Sequence, residues 1–332
     1  MSPPLKRAVL LHQQIVDPKA QDQIDTLIQI DNVDKALISL GYVTLIKEFS
    51  PENTEMLFMD IKGFNPDFVF NLVEMEGRFL HLAPTLLEFY NVAYSGCSSA
   101  ATYTTTNKVL AKVLLRQFGL TTADWYELTP FVDASNLLNK QVIVKSTVED
   151  ASINIDDFSV RIFETKEELE SFIISRNMQF SDNFFAEEYI DGREFNVSII
   201  GSTENPMVLP IAEIKFVNFP PDKAKIVSYS AKWDESTFEY QNTVRSFSFK
   251  PADAKLLENL KKISLKCWYI FKLNGYARVD FRVDKNNMPY ILEVNANPGI
   301  AEDSGFVASS TENGWTYSQM VEQIINNIKA PK

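Results

Sequence analysis

Four polar side chains near the end of the sequence have the types and spacing needed to bind a metal ion and phosphate. They are Arg278, Asp280, Glu293 and Asn295, and one apolar residue separates the members of each pair. Successive side chains of a strand point to opposite faces, so each pair shares a face. The polar segment 284–288 between the two runs is typical of a hairpin loop, which would bring all four onto one surface. Oxygen ligands of this kind suit Mg²⁺ when nucleotide phosphates supply the rest.

The apolar residues of the same runs predict the buried faces, which are Ala277, Val279, Phe281 and Val283 in the first run and Tyr290, Leu292 and Val294 in the second. The alternative is an amphipathic hairpin with a solvated charged face, since isolated Asp and Glu side chains are mostly exposed. The continuation Asn295-Ala296-Asn297-Pro298-Gly299 argues against that alternative because of what it resembles in combination with the hairpin.

The whole run 278–299 resembles the C-terminal signature of the ATP-grasp superfamily, specifically of D-alanine–D-alanine ligases and their relatives. The resemblance implies an α/β protein with an ATP-grasp fold, in which two α+β lobes clasp ATP, preceded by an N-terminal βαβ parallel-sheet domain. It implies ATP and two Mg²⁺ ions, with Mn²⁺ as an alternative. Asp280, Glu293 and Asn295 would hold the ions, with Glu293 bridging them. Arg278 would stabilise an acylphosphate and an oxyanion, for which a planar guanidinium is well suited.

Length and composition narrow the class of protein. The 332 residues, 45% hydrophobic and 23% charged, describe an ordinary globular chain with room for two or three domains. The formal charge of -12 argues against nucleic acid, which binds clustered Lys and Arg. Two distant cysteines and two histidines give little basis for a disulfide framework, a zinc site or a Ser-His-Asp triad. No run approaches the roughly 18 apolar residues of a membrane span, and we expect a cytoplasmic protein.

Periodicity in the first hundred residues predicts a βαβ arrangement with a parallel sheet. The predicted strands are 7–11, 42–49, 68–73 and 92–94, and the predicted helices are 22–40 and 83–90. Neither GxGxxG nor GxxxxGK[ST] occurs, so a Rossmann fingerprint or a Walker loop does not account for nucleotide binding.

The remainder predicts helices at 108–118, 166–174 and 253–271 and strands at 141–145, 159–163, 184–188, 195–200 and 208–214, besides the hairpin. We expect three domains: an N-terminal α/β pre-ATP-grasp domain over 1–100, a central small lobe over 101–187, and a C-terminal lobe with the magnesium and phosphate site over 188–332.

The resemblance also implies which residues hold the phosphates of ATP. Lys108 and Lys145 match two lysines that reach the α- and β-phosphates, and Ile143, in the strand of Lys145, belongs to the same nucleotide site. Lys232 lies in a segment that corresponds to the family's lysine–tyrosine loop, which closes over the phosphates. Lys232 is therefore expected to contact the γ-phosphate and to assist catalysis. Taken alone, a lysine ending an apolar strand is more often a surface charge.

The segment 184–195 resembles the hinge between the two ATP-grasp lobes. Glu187 matches the acceptor for the adenine amino group, and Glu194 matches the ribose-hydroxyl acceptor. The backbone of Glu188, Tyr189 and Ile190 would form the adenine edge. Each glutamate by itself would be a solvated surface charge.

Several substrate positions depart from the family pattern. The N-terminal Gly-Gly-x-Ser-x-Glu loop, whose glutamate binds the first amino acid's ammonium group, is absent, and Glu74 or Glu76 is the candidate replacement. Trp233 stands where the family has tyrosine, and Ala151 stands in place of the phosphate-loop serine. Ser304 keeps the serine expected to touch the second substrate and to take part in catalysis. We therefore expect the acceptor pocket to depend on Glu74, Trp233 and Ser304.

The function expected from these features is ATP-dependent ligation of a carboxylate to an amine through an acylphosphate, with ADP and phosphate as products. The substrates would be small amino-acid or peptide-like molecules. Alternatives left open are a true D-alanine–D-alanine ligase, a carboxylate–thiol ligase, a kinase that makes a stable acylphosphate, and a non-catalytic ATP-binding regulatory protein. We expect no nucleic-acid or membrane partner, and a homodimer is left open.

Overall fold

The computed structural model of the chain describes residues 5–75, 77–129, 132–149, 152 and 154–329. Three sheets follow one another along this part of the chain. The first is parallel, with strand order β2-β1-β3. Its elements are β1 (Lys6–Gln13), α1 (Gln21–Ser39), β2 (Tyr42–Phe49), α2 (Thr54–Phe64), β3 (Phe68–Leu72) and α3 (Leu82–Phe89).

The central strand β1 is buried on both faces, as its continuous apolar run requires in a parallel sheet. Ala8 and Leu10 pack in a core with α1, whereas Val9 and Leu11 pack with α2 and α3. The predicted βαβ parallel sheet is therefore observed. The predicted strand at 92–94 is wrong, because only Tyr94 forms a single bridge to β3.

The second sheet is antiparallel, with strand order β4-β7-β5-β6. Val142 and Val144 pack in a core with the helix Lys166–Phe180, and Ile143 and Lys145 lie on the opposite face of the strand. The elements of this part are α4 (Ser99–Thr106), α5 (Lys108–Gln117), β4 (Trp125–Tyr126), β5 (Gln141–Ser146), β6 (Val160–Ile162), α6 (Lys166–Phe180) and β7 (Phe184–Glu188).

The third sheet has the order β11-β10-β8-β12-β13, with β9 paired to β8. The predicted strand over 208–214 is in fact two strands, β9 and β10, on either side of Pro210, which has no N–H for a sheet ladder. The elements are β8 (Arg193–Gly201), β9 (Pro206–Val208), β10 (Ala212–Phe216), α7 (Tyr229–Trp233), α8 (Phe238–Asn242), β11 (Thr243–Ser246), α9 (Ala254–Ile270), β12 (Gly275–Val283), β13 (Pro289–Asn295), α10 (Gly305–Glu312) and α11 (Tyr317–Ile325).

The β12–β13 hairpin forms as predicted, but with a bulge. Asp280 pairs with Glu293 and Phe281 pairs with Ile291, so Leu292 is the extra residue. The bulge changes the alternation: Ile291 and Val294 enter the core, and Leu292 is half-buried. The prediction that Tyr290, Leu292 and Val294 share the buried face is therefore wrong for the first two. The bulge still leaves Glu293 opposite Asp280 and Asn295 opposite Arg278.

No helix among the described residues is long and apolar enough to cross a membrane.

Candidate active site

One face of the third sheet carries a row of polar side chains across three strands. Arg278 on β12 lies between Ser198 on β8 and Asn295 on β13. One step along, Asp280 lies between Asn196 and Glu293. The side chains on the opposite face of β12 belong to the apolar core of this part of the protein. Because burial of those side chains sets which face of the strand is inside, the polar row must lie on the outer face.

Asp280 accepts hydrogen bonds from two side chains on this face, Arg278 and Asn196. Arg278 Nε donates to Asp280 Oδ1 at 2.8 Å and Arg278 Nη2 donates to Oδ2 at 2.7 Å, in a bidentate pair. Asn196 Nδ2 donates to Oδ1 at 2.7 Å. Asn295 uses its side-chain oxygen to accept from the backbone N–H of Asn297 at 2.8 Å. The sequence prediction that these residues share one surface agrees with this geometry.

The two carboxylates of the row have opposite pKa shifts. Burial raises the pKa of Asp280, and Arg278 opposes that rise. Burial also acts to raise the pKa of Glu293, but Lys108, Lys145 and Arg278 outweigh it and the pKa is lowered. Lys108 Nζ lies 3.9 Å from Glu293 Oε2. Glu293 is therefore kept ionised beside a cluster of cations.

The oxygens of Asp280, Glu293 and Asn295 are hard ligands of the type that Mg²⁺ prefers, with phosphate or water completing the shell. Among the described residues no group of three or more His, Cys, Asp or Glu side chains is arranged to hold a metal ion unaided. Two carboxylates and an amide are consistent with a site that is completed only with nucleotide phosphates.

Lys108 begins α5 and points from it toward the loop after β5. Its Nζ donates to the carbonyl of Glu149 at 2.8 Å. Glu149 in turn accepts from the backbone N–H of Gly77 at 3.1 Å. A Cβ at Gly77 would lie 1.9 Å from the carbonyl oxygen of Val148, so only glycine permits this approach. The close packing holds the start of the predicted phosphate loop, residues 149–154, against the segment that follows β3. Residues 150, 151 and 153 of that loop, including Ala151, lie outside the described residues.

Glu187 lies between two lysines in the interior. Lys145 Nζ is 2.5 Å from its Oε1 and Lys112 Nζ is 2.6 Å from its Oε2. Lys112 also donates to Thr122 Oγ1 at 2.7 Å. Burial acts to raise the pKa of Glu187, but the two lysines lower it, and burial lowers the pKa of Lys112. Sequence reasoning missed Lys112, although it lies one helical turn after Lys108, where the two side chains share a face.

The hinge between β7 and β8 is anchored by backbone bonds. The N–H of Glu188 donates to Asp124 O at 2.8 Å, and the N–H of Tyr189 donates to Gln141 O at 2.9 Å. The Glu188 side chain lies 3.3 Å from Lys140 Nζ. A Cβ at Gly192 would lie 2.0 Å from the carbonyl oxygen of Val283, so the turn after the hinge requires glycine to pack against β12.

Glu194, the predicted ribose acceptor, faces the polar row and pairs with Arg282 across the sheet. The distance from Arg282 Nη1 to Glu194 Oε2 is 3.2 Å. Arg282 was not predicted as a site residue. The alternation that singled out Arg278 and Asp280 continues to it, and that continuation is the signal that could have found it.

Lys232 lies on α7, a short helix capped by the Ser228 hydroxyl. Burial among surrounding protein lowers its pKa, and Arg278 lowers it further, while Glu74, Asp25 and Glu293 oppose the shift. Lys232 is nevertheless an exposed residue, so solvent reaches its side chain. Lys232 Nζ lies 4.9 Å from the ring centre of Trp233. The predicted phosphate lysine therefore belongs to the electrostatic neighbourhood of the polar row.

A second group of acidic side chains lies beside this neighbourhood. Gln29 Nε2 donates to Asp25 Oδ2 at 2.9 Å and to Glu74 Oε1 at 3.5 Å. A Cβ at Gly299 would lie within 4 Å of all three side chains. The structure thus joins the start of α1, the end of β3 and the loop after β13. Sequence reasoning named Glu74 but missed Asp25, and Glu76 lies outside the described residues.

Ser304 lies at the start of α10, where its hydroxyl accepts from the N–H of Val307 at 3.3 Å. The next residue, Gly305, is close to the polar row: a Cβ there would lie 3.9 Å from Arg278 Nη1 and 3.7 Å from Arg245 Nη2. The residue after Ser304 therefore lies near Arg278, and the cap bond of Ser304 fixes the start of the helix.

Comparison with known proteins gives consistent matches. The family model for the D-ala D-ala ligase C-terminus matches residues 114–326, more than half of the chain. The uncharacterized protein y4sG of Sinorhizobium fredii is 29% identical over 309 residues, which cover 89% of this chain and 86% of that protein. The D-alanine–D-alanine ligase of Aquifex aeolicus is 28% identical over 300 residues, covering 88% and 92% respectively. The crystal structure of D-alanine–D-alanine ligase from Bacillus anthracis complexed with ATP matches with a TM-score of 0.73 at 24% identity, covering 97% of each chain.

The sheet arrangement and the family match together define an ATP-grasp protein of the ligase type, as the sequence predicted. The chain belongs to the D-alanine–D-alanine ligase family, whose C-terminal region spans the second and third sheets. The predicted fold class and the suspected family are both confirmed.

Proposed function

We propose that this protein is an ATP-dependent carboxylate–amine ligase that joins small amino-acid or peptide-like substrates. The observation that carries the proposal is the cross-strand pair of Asp280 and Glu293, with Arg278 on the same face and Lys108 nearby. Two carboxylates beside two cations suit a reaction in which phosphate charge is bound and transferred. Family membership supports the same class of reaction.

ATP would bind between the second and third sheets. Lys108 and Lys145 would contact the α- and β-phosphates, and Lys232 the γ-phosphate. Ile143, Glu187 and the hinge backbone of Glu188, Tyr189 and Ile190 would surround the base, while Glu194 would accept from the ribose. Support for Lys145 comes from its position on the face of β5 opposite the lobe's core. We also propose that the division at about residues 100 and 187 separates the three domains.

Asp280, Glu293 and Asn295 would hold two Mg²⁺ ions, or Mn²⁺ in their place. Bound there, the ions would offset negative charge on the transferring phosphoryl group. Arg278 would stabilise the acylphosphate and, when the amine attacks the carbonyl carbon, the oxyanion that precedes loss of phosphate. The planar guanidinium of Arg278 is held in one orientation by its two hydrogen bonds to Asp280. Its other N–H groups would donate to a phosphoryl or carbonyl oxygen.

The amino-acid side of the site would use the acidic group beside Gly299. Asp25 and Glu74 present two carboxylates to one small volume, where both could attract a substrate ammonium group. Asp25 therefore joins Glu74 as a candidate for the role of the missing glutamate. Trp233 and Ser304 would shape the place of the second substrate.

The test is a phosphate-release screen with ATP, magnesium and all L- and D-amino acids, singly and in pairs, with mass spectrometry of the products. A new amide product formed with ADP and phosphate supports the proposal. An acylphosphate that accumulates, a thioester formed when a thiol is supplied, or ATP binding without turnover would contradict it in favour of the kinase, thiol-ligase or regulatory alternative.

A further inference from the structure

Lys112 is a buried lysine whose charged group is fully surrounded by protein oxygens. It lies one helical turn after Lys108 on α5, and 1% of its surface is exposed. Its Nζ lies 2.6 Å from Glu187 Oε2 and donates to Thr122 Oγ1 at 2.7 Å and to the carbonyl of Ala123 at 3.3 Å. An ammonium group has three donors, and these three oxygens account for all of them. Lys112 is therefore fixed in place and too enclosed to touch a ligand.

The Thr122 hydroxyl ties Lys112 to the strand that carries Glu293. Thr122 Oγ1 accepts from Lys112 and donates to the carbonyl of Ile291 on β13 at 2.8 Å. Lys112 is thus anchored both to its own helix and to β13, which form part of the framework of the site.

Lys145 shares the Glu187 carboxylate but has fewer partners. Its Nζ lies 2.5 Å from Glu187 Oε1, and among the described residues no other oxygen accepts from it. Its side chain is 9% exposed, compared with 1% for Lys112. Its charge also acts on Glu293, whose pKa it helps to lower. Of the two lysines, Lys145 is therefore the one that keeps donors for a ligand near Glu293.

The three side chains together carry an excess of one positive charge in the interior. Glu187 is 2% exposed and offers one negative charge to two lysines, which lower its pKa and keep it ionised. A buried carboxylate that loses its partner becomes an uncompensated charge, which strongly destabilises the protein. If Lys145 turned toward a phosphate, Glu187 would still be paired with Lys112. Without Lys112, the same movement would remove the last counter-charge of Glu187.

We propose that Lys112 is a positioning residue: it is the permanent partner of Glu187 and so frees Lys145 to bind the phosphates of the nucleotide. This inference rests on the proposed use of ATP. It assigns different tasks to two lysines that share one carboxylate. Lys112 needs no contact with the nucleotide, because its effect passes through Glu187.

The experiment measures the affinity for ATP and for adenosine, each with magnesium, by calorimetry. Adenosine lacks the phosphates, so the ratio of the two affinities isolates their contribution and cancels changes at the base and the sugar. The variants are Lys112→Met, Lys145→Met and the two combined. Arg116→Met is the matched control, because Arg116 lies one turn further along α5 and pairs with Asp124 at the surface. Thermal unfolding of each variant reports any loss of folding.

We expect Lys112→Met to weaken ATP binding about tenfold, the loss typical of one hydrogen bond to a charged group, and to leave adenosine binding nearly unchanged. Lys145→Met should lower the same ratio. Adding Lys112→Met to Lys145→Met should lower the ratio no further, because two residues that act through one contact are not additive. Arg116→Met should leave the ratio unchanged.

A further substitution tests the part played by Glu187. Glu187→Gln removes the charge that holds Lys145, so in the Lys112→Met background it should restore most of the lost preference for ATP. If Lys112→Met does not fold, Lys112→Gln takes its place in every comparison, because glutamine keeps an N–H donor without the charge.

A loss that Lys112→Met still causes in the Lys145→Met background would overturn the inference, because Lys112 would then act on the phosphates through its charge alone. Equal losses for ATP and adenosine, or an unchanged affinity for ATP, would also overturn it and leave Lys112 a purely structural lysine. Failure of the wild-type protein to bind ATP at all would instead remove the proposed function, and this inference with it.

Discussion

The guanidinium of Arg278 holds the carboxylate of Asp280 two residues away on the same strand, with Nε 2.8 Å from Oδ1 and Nη2 2.7 Å from Oδ2. A buried carboxylate needs such a partner, because desolvation otherwise favours its neutral form. Cations or phosphoryl groups that enter the site would therefore compete with an ion pair that already exists. We therefore expect substitutions in the polar row to change turnover because they change the charge of the site, and not because they disturb the packing of the core.

Replacing Glu293 by Gln should abolish phosphate release while the protein stays folded. The change removes one negative charge from the row and keeps the side-chain shape. Phosphate release with the best substrate pair and thermal unfolding measure the two effects. Glu258→Gln is the control, because Glu258 lies exposed on α9 and its ion pair with Lys262, at 3.5 Å, is on the surface. Near-normal turnover by Glu293→Gln would remove Glu293 from the catalytic site.

Alanine at Lys145 or Lys232 should weaken ATP binding at least tenfold. A charge-assisted hydrogen bond to phosphate contributes about 1.5 to 3 kcal/mol. Calorimetry with magnesium and ATP measures the loss, and Lys35→Ala serves as the control because Lys35 forms an exposed pair with Asp31. If both variants bound ATP as tightly as the wild type, these lysines would not contact the phosphates. Lys145 would then serve only to pair with Glu187.

Replacing Glu187 by Gln should reduce the free energy of unfolding most at neutral pH. The change leaves Lys112 and Lys145 without their shared carboxylate, and loss of one partner of a buried ion pair costs about 3–5 kcal/mol. Burial acts to raise the pKa of Glu187, but the lysines lower it. The carboxylate therefore stabilises the folded state above its unfolded pKa of about 4.3, and this contribution is lost as pH falls through the lower folded pKa.

Urea unfolding of wild type and Glu187→Gln from pH 7 to pH 3 checks this prediction. The difference in stability should be large at pH 7 and should shrink at the acid end. Glu188→Gln is the matched control, because the neighbouring Glu188 is half-exposed and its pair with Lys140 is partly in solvent. A difference that stays constant to pH 3 would argue that the Glu187 charge does not stabilise the fold.

The protein should be a poor D-alanine–D-alanine ligase. The family's ammonium-binding glutamate, loop serine and tyrosine are all missing, and an ammonium group without its carboxylate loses selectivity. Asp25→Ala and Glu74→Ala should each raise KM for the preferred amino acid at least about tenfold without changing ATP affinity. Asp31→Ala on the same helix is the control. The prediction would be wrong if D-alanine alone gave the fastest turnover and Glu74→Ala left that rate unchanged.

The sequence by itself determined the chemistry of the β12–β13 hairpin and the order of most strands and helices. Alternation and helical spacing are local properties, so the shared face of Arg278 and Asp280 could be read without knowing the fold. Asn295 and Glu293 followed from the same rule. The bulge at Leu292 could not be predicted in this way, because it lies beside contacts between β13 and a distant segment of the chain. The Ile291 N–H donates to the carbonyl of Thr121 at 2.9 Å, and the Thr122 hydroxyl donates to the carbonyl of Ile291 at 2.8 Å.

Only the tertiary structure decided which distant charges meet. Asp25 and Glu74 come together because α1 begins and β3 ends at the same side of a parallel sheet, and Lys112 reaches Glu187 because α5 packs beside the sheet of β7. Arg282 likewise donates hydrogen bonds to the carbonyls of Ile190 and Lys225, which lie far from it in sequence. Such contacts join segments far apart in sequence, and their energy depends on burial and geometry that no local pattern encodes.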